Sequence, residues 1–134
     1  MIENNYRRTE TTISSIQYHF AFCSRYKRKI FNIPGLESRF RELTEDICKE
    51  IDINIITINC NEDHIQMTLD CLPTISPSDI MNKIKGNTSR VLRGEFLELK
   101  SMSGLWTRKF LISTGNNLDD MTVKKFVDEQ KNRP

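Results

Sequence analysis

The sequence predicts one α+β domain built on an antiparallel sheet, and three observations support this prediction. Some segments alternate apolar and polar residues, as half-buried strands do. Others repeat apolar residues every three or four positions, which is typical of amphipathic helices. Along the 134 residues the two kinds of segment occur in the order βαββαβ, with one extra helix at the C-terminal end. This is the order of the ferredoxin-like fold, in which two helices cover one side of the sheet.

The first strand is predicted at residues 12–23, after an N-terminal tail at 1–11. One face of this strand is apolar and largely aromatic, with Ile16, Tyr18, Phe20 and Phe22, and the other face has Gln17, His19 and Ala21. Apolar residues at helical spacing from Leu36 to Ile51 then predict the first helix. A hairpin follows, because residues 53–58 are rich in β-branched side chains and residues 64–71 alternate in polarity.

The second half of the chain contains two helix starts and one strand. Ser76 is a predicted N-cap, because Pro77 follows it and Asp79 lies three positions later. The helix it begins is expected to run toward Phe96. Residues 110–114 predict the last strand, and residues 118–132 predict a C-terminal helix with Asp119 as its N-cap. Because no linker interrupts this order, residues 1–134 form a single predicted domain.

The composition excludes several classes of protein. Hydrophobic residues make up 37% and charged residues 28% of the chain, which argues against disorder and low-complexity sequence. No apolar run approaches the roughly 20 residues of a membrane-spanning helix, so no membrane partner is expected. The first residues do not resemble a signal peptide. With four cysteines and no C-x-x-C pair, the sequence predicts a cytoplasmic protein whose reduced thiols are mostly buried as small hydrophobes.

The charges are segregated, although their sum is only +2. Cations concentrate in a basic turn, residues 25–29, and in residues 83–93 of the second helix, where no acid interrupts them. A charge run is commonly just a solvated face. However, two acid-free segments, one with an aromatic ring among the cations, favour phosphates and stacked bases. We therefore predict that these residues contact DNA: Arg25, Tyr26, Lys27, Arg28, Lys29, Lys83, Lys85, Asn87, Arg90 and Arg93.

Five blocks of the sequence, in the same order, resemble the IS200-like, single-tyrosine HUH transposases of small bacterial insertion sequences. They are residues 18–29 (the first strand and the basic turn), 63–66, 85–93, 105–115 and 123–130. The resemblance implies a homodimeric transposase that cuts and rejoins single-stranded DNA with hairpins, at the nucleoid of a bacterial or archaeal cell. It also implies a ferredoxin-like fold with the tyrosine helix at its C-terminal end.

The resemblance also implies a reaction mechanism and a set of site residues. In the family, a tyrosine on the last helix attacks a phosphodiester and forms a covalent phosphotyrosine. A divalent ion, Mg²⁺ or Mn²⁺, held by two histidines and a helix glutamine, polarises the phosphate. The matching metal positions here are His64, Gln66 and Gln130, and Phe126 occupies the position of the nucleophile.

Two of these four residues depart from the family pattern. Phe126 has no hydroxyl, and the three tyrosines of the chain all lie within its first fifth. Gln66 replaces a histidine, so the metal ligands would carry no formal negative charge, and metal binding is expected to be weak or absent. His19 could approach this site from the first strand, although a structural role with a fixed tautomer is favoured.

Three functional hypotheses are therefore open. In the preferred one, the chain keeps the family's hairpin binding and dimer but has lost cleavage. In the second, the protein is an active transposase in which one or both of the residues at 66 and 126 were changed deliberately. In the third, a ferredoxin-like module binds RNA or single-stranded DNA on an exposed aromatic sheet face. That third hypothesis requires the aromatic face of the first strand to be open to solvent.

Overall fold

A four-stranded antiparallel sheet forms the centre of the fold. The structure is a computed structural model that describes residues 6–115 and 118–130. Its strands and α-helices are β1 (Arg7–Arg8), β2 (Ile13–Ser14), β3 (Ile16–Cys23), α1 (Leu36–Glu50), β4 (Asn54–Cys60), β5 (His64–Cys71), α2 (Pro77–Glu95), β6 (Leu111–Ser113) and α3 (Asp120–Glu129). The strand order in the sheet is β4-β5-β3-β6. The predicted ferredoxin-like arrangement with an extra C-terminal helix is confirmed.

The N-terminal segment differs from the predicted tail. Strands β1 and β2 form a separate two-stranded hairpin, so the first long strand begins at Ile16 rather than at residue 12. The side chain of Thr9 stabilises the turn of this hairpin by accepting a hydrogen bond from the backbone N–H of Thr12 at 3.0 Å, as hydroxyl side chains often do in turns. Arg7 anchors the hairpin to the sheet, with ion pairs to Asp52 at 3.0 Å and to Asp70 at 3.7 Å.

One face of the sheet is covered by α1 and α2, and we call the residues buried there the helix-face core. Phe20 and Phe22 of β3 are fully buried in it. The Phe22 ring packs edge-on against Trp106, with 5.0 Å between ring centroids. The aromatic face of β3 is therefore closed by the helices, which contradicts the hypothesis of an open aromatic face for stacking bases.

The opposite face is covered only by α3 among the described residues. Val123, Phe126 and Val127 of this helix pack on Ala21 and Cys23 of β3, and we call these five residues the α3 cluster. Asp119 is the N-cap, as predicted: its carboxylate accepts a hydrogen bond from the backbone N–H of Thr122 at 2.7 Å. The last two residues of the predicted helix, 131–132, lie outside the described part of the chain.

The other helix start is also as predicted. The Ser76 hydroxyl accepts from the backbone N–H of Asp79 at 3.1 Å, and Pro77 begins α2. Proline is favoured at this first helical position because its missing N–H would have no partner there. Of the helices in the described part of the chain, none combines the length and the apolar character needed to cross a bilayer.

Candidate functional site

The register of two central strands brings the predicted metal ligands to one face. In the β3–β5 pair, Cys23 lies opposite His64 and Ala21 lies opposite Gln66. His64 and Gln66 are two positions apart on β5, so their side chains share a face of the sheet. This is the face that α3 covers, because Ala21 and Cys23 both belong to the α3 cluster.

His64 is oriented by the carboxylate that precedes it in the chain. Its Nδ1 lies 2.8 Å from Oδ1 of Asp63, and the histidine side chain is 18% exposed. A carboxylate that accepts the Nδ1 proton leaves Nε2 as the ring's acceptor, as in many metal-binding and catalytic histidines. Asp63 was not predicted to have a role, although its place next to His64 was a signal for one.

Helix α3 brings Phe126 beside these strand residues. The phenylalanine is 9% exposed and packs in the α3 cluster. Gln130 follows at the end of the helix and is also buried, with its backbone N–H directed at the carbonyls of Phe126 and Val127. Phe126 therefore packs directly on the β3 residues that lie opposite the two predicted β5 ligands.

His19 lies on the same face but is fully engaged in hydrogen bonds. Its Nε2 donates to the Gly115 carbonyl at 2.9 Å, and its Nδ1 accepts from the Thr68 hydroxyl at 2.8 Å. A neutral imidazole has one donor and one acceptor nitrogen, so both are occupied. This confirms the structural role that the sequence favoured. His19 also forms one wall of a polar cleft of about 190 Å³, whose other walls include Thr57, Asn59, Gln66, Thr68 and Leu118.

The candidate metal ligands carry no formal negative charge. They offer one imidazole and two neutral amides, whereas Mg²⁺ and Mn²⁺ favour carboxylate oxygens. In residues 6–115 and 118–130 no group of three or more His, Cys, Asp or Glu side chains could hold a metal ion. Cys23 lies opposite His64, but burial raises the pKa of its thiol to about 12. A thiol with this pKa is protonated at neutral pH.

The basic turn has an unusual backbone that exposes an aromatic ring. Tyr26 and Lys27 have positive φ angles of 58° and 52°, a conformation that is rare outside glycine. The Tyr26 side chain projects outward, and the residue is 54% exposed. Strained backbone of this kind often occurs at binding sites.

Two cations of the basic turn have acidic partners that the sequence did not indicate. Lys27 forms an ion pair with Asp128 of α3 at 3.6 Å, and Lys29 pairs with Glu62 at 3.6 Å. The turn contains no acid in its own sequence, but the fold brings carboxylates from distant parts of the chain to these two lysines. The ion pair of Lys27 also joins the basic turn to the helix that holds Phe126.

The predicted DNA-contacting residues of α2 occupy two different faces of the helix. Lys83, Asn87 and Arg90 share the predicted stripe and line a groove beside the C-terminal end of α1. Lys85 and Arg93 point instead toward Arg25 and a loop at residues 103–108. The structure thus connects only the second face of α2 with the basic turn.

Lys85 is largely buried on that second face. Its Nζ donates to the backbone carbonyls of Thr107 at 2.8 Å and Arg108 at 3.2 Å, and it lies 5.8 Å from the ring centroids of Phe22 and Phe110. Burial lowers its pKa from 10.5 to about 8, because desolvation disfavours the charged form. Sequence reasoning missed Arg108 itself, which lines the same pocket as Lys85 and Arg93.

Comparison with known proteins gives consistent results. The family described as "Transposase IS200 like" matches residues 12–130. The ISDra2 transposase TnpA of Deinococcus radiodurans is 19% identical over 124 residues, which are 90% of this chain and 88% of that protein. The transposase for insertion sequence element IS200 of Salmonella typhimurium is 29% identical over 122 residues, which are 86% of this chain and 79% of that protein.

Two solved structures share the fold. A candidate transposase from Deinococcus radiodurans R1 has a TM-score of 0.84 at 15% identity, over 92% of this chain and 97% of that one. The REP-associated tyrosine transposase bound to a REP hairpin has a TM-score of 0.60 at 12% identity, over 95% of this chain and 68% of that one. Because the family match extends over nearly the whole chain, this protein belongs to the IS200-like transposase family, whose members are proteins of DNA transposition.

Proposed function

We propose that this protein binds single-stranded DNA hairpins as a homodimer and does not cleave them. The observation that carries the proposal is the side chain at position 126. Phe126 is held in an apolar cluster on the strand residues opposite His64 and Gln66. A phenyl ring has no nucleophilic atom, so no phosphotyrosine bond can form there.

Retained DNA binding is supported by the basic turn. Arg25 and Arg28 have no carboxylate partner among the described residues, and Tyr26, between them in sequence, is exposed. Cations that track a phosphate backbone beside an aromatic ring are the usual means of binding single strands. The solved relative bound to a hairpin supports a hairpin as the ligand. A nucleoid-associated location would follow from DNA binding.

The homodimer is supported by the family and by an open sheet edge. β4 is one of the two edge strands of the sheet, and Ile56, at a break in its register with β5, is 48% exposed. An exposed edge strand with an apolar side chain can pair with another chain. In the dimer that the resemblance implies, the last helix of one subunit serves the metal ligands of the other. In the single chain α3 packs on its own β3.

The test compares the unchanged protein with the double variant Phe126→Tyr, Gln66→His. A labelled single-stranded hairpin is added with Mn²⁺, binding is measured by fluorescence anisotropy, and covalent adducts are separated on denaturing gels. We expect equal binding by both proteins and an adduct only with the double variant, because it regains the hydroxyl and the second imidazole. Light scattering of each protein without DNA should give twice the mass of a single chain.

A matched control carries the same chemical changes outside the site. The variant Phe96→Tyr, Gln17→His adds one hydroxyl at the end of α2 and one imidazole on β3, and it should form no adduct. An adduct from the unchanged chain would refute the loss of cleavage. Failure of both proteins to bind the hairpin would refute DNA binding.

The second candidate function is an active transposase whose two residues were changed deliberately. Phe126 favours it in one respect, because Tyr-to-Phe removes a single oxygen and leaves the packing of α3 intact. The coding sequence of the native gene decides between the two: tyrosine and histidine codons at positions 126 and 66 would establish the active enzyme.

A further inference from the structure

The loop at residues 103–108 and helix α2 line an open, basic pocket beside the basic turn. We call it the loop pocket, and its volume is about 350 Å³. Its walls include four cations and no acidic residue: Arg25, Lys85, Arg93 and Arg108. None of these four side chains forms an ion pair with a described carboxylate.

Neutral acceptors hold three of these cations in place without cancelling their charge. Arg25 donates to the Ser103 hydroxyl at 2.9 Å and to the Trp106 carbonyl at 3.2 Å. Arg93 donates to the Met102 carbonyl at 3.1 Å and also to Ser89. Lys85 is held by the two loop carbonyls described above. Fixed cations lose little conformational entropy when an anion binds, so such an arrangement is preorganised for a charged ligand.

An unpartnered hydroxyl independently indicates a ligand. The Oγ1 of Thr107 is buried and has no hydrogen-bond partner, although nearly all buried polar atoms in proteins have one. Thr107 is one of the residues that line the loop pocket. The wall of the loop pocket thus contains one buried hydroxyl for which the described residues offer no partner.

The loop pocket lies at the same end of the sheet as the candidate site. The backbone N–H of Thr107 donates to the carbonyl of Cys23 at 2.9 Å, and Cys23 lies opposite His64. The basic turn adjoins both regions, since Arg25 lines the pocket and Lys27 pairs with α3. We infer that the loop pocket holds one backbone phosphate of the single strand whose neighbouring nucleotides cross the basic turn. This inference rests on the proposed DNA binding.

Two variants test the pocket in different ways. Arg108→Gln removes an exposed cation. Gly104→Ala keeps every charge but places a Cβ 2.9 Å from the Arg25 guanidinium, which must then move. The φ of Gly104 is not positive, so the backbone accepts alanine there. Matched controls are Lys49→Gln, at the opposite end of the sheet, and Gly94→Ala, whose Cβ would meet nothing within 4 Å.

Affinity for the labelled hairpin is measured by anisotropy over a series of salt concentrations. Each pocket variant should bind roughly tenfold more weakly at low salt, as expected for a lost charged hydrogen bond. For Arg108→Gln the slope of log K against log salt should fall by about 0.7, the value for one phosphate contact to a single strand. Both controls should match the unchanged protein. If the unchanged protein binds and the pocket variants behave like the controls, the inference is wrong.

A titration with inorganic phosphate shows whether the loop pocket binds a free anion or a phosphate of the DNA strand. It also tests the loop pocket separately from the proposed hairpin binding. Trp106 is the single tryptophan and lines the pocket, so its fluorescence reports occupancy. A phosphate response that both pocket variants abolish, combined with weakened hairpin binding, supports the inference. The same response with unchanged hairpin affinity overturns it, because the pocket then takes only a free anion. If the unchanged chain binds no DNA, the proposed function fails, and the phosphate response alone decides whether the pocket binds an anion.

Discussion

The two faces of the central sheet bury very different numbers of apolar residues. On the α1 and α2 side, Phe22 and Phe40 are fully buried in a core that includes most of the buried apolar residues. On the α3 side, the α3 cluster contains five buried residues, and polar side chains such as Gln66 and Thr68 lie beside it. Most of the hydrophobic stabilisation should therefore come from the helix-face core, because it scales with buried apolar area.

This difference explains how the candidate site can change without loss of the fold. At position 126, phenylalanine can replace the family's tyrosine because its ring keeps the contacts with Ala21 and Cys23 in the α3 cluster. Only the hydroxyl is lost. Substitutions of candidate-site residues on the α3 face are thus tolerated by the fold, because the helix-face core stabilises it. The basic turn and the loop pocket depend on that scaffold and not on the nucleophile.

The largest predicted effect compares one phenylalanine from each face. Phe22→Ala should lower the free energy of unfolding by about 4 kcal/mol, because it leaves a cavity among Phe40 and Trp106. Phe126→Ala should cost about half as much, since α3 can settle onto the shorter side chain. Urea denaturation followed by circular dichroism measures both. Equal losses would show that the two faces contribute equally and would remove the explanation given above.

The second prediction concerns pH and Lys85, the cation buried on the helix side. Its pKa is about 8 in the folded protein against 10.5 ordinarily, so between these values the unfolded chain binds more protons. The free energy of unfolding attributable to Lys85 therefore rises with pH, by about 2 kcal/mol from about pH 7 to about pH 9.5. At lower pH both states are protonated, and this contribution no longer changes.

The comparison with Lys85→Met isolates that contribution. The buried thiols act in the opposite direction, since burial raises the pKa of Cys23 and Cys71 to about 12 and they deprotonate first in the unfolded chain. Because both proteins contain these thiols, the difference between their urea-unfolding curves reports Lys85 together with its electrostatic coupling to Cys23. A difference that stays constant over the same pH range would show that Lys85 titrates normally.

Features that depend on local sequence patterns, such as the two faces of β3 and the helix caps, were predictable from the sequence. Alternation in β3 correctly separated the residues of the helix-face core from His19 and Ala21, because period-two patterns follow directly from strand geometry. The caps at Ser76 and Asp119 were readable because they depend on local hydrogen bonds. Strands β1 and β2 were not, since two-residue strands carry no periodicity.

The strand positions of the candidate site were predictable, but their environment was not. Spacing placed His64 and Gln66 on one face, whereas their roles as metal ligands stay a prediction that the family resemblance implies. The ion pair of Lys27 with Asp128 joins residues distant in the chain, so no local pattern indicates it. Helical spacing likewise identified a stripe on α2. It could not show that Arg93, on another face, meets the loop at 103–108.

The smallest predicted effect compares the N-caps of the helices on the two faces. The α2 cap is the hydroxyl of Ser76, which does not titrate, whereas the α3 cap is the carboxylate of Asp119. The hydrogen bond from the Thr122 backbone lowers the pKa of Asp119 below its ordinary 3.8. The stabilisation it gives α3 is thus complete above the ordinary pKa and is lost as the pH falls through the lower folded value.

Acidification should therefore loosen α3 before α2. Helical Cα chemical shifts of residues 120–129 should decrease toward random-coil values at a pH where those of α2 are still unchanged. In Asp119→Ser, a cap that does not titrate, the α3 shifts should lose this early acid step. If α2 and α3 of the unchanged protein respond at the same pH, or if Asp119→Ser retains the step, the carboxylate cap does not control α3. The stability of α3 against local unfolding would then depend on the packing of the α3 cluster alone.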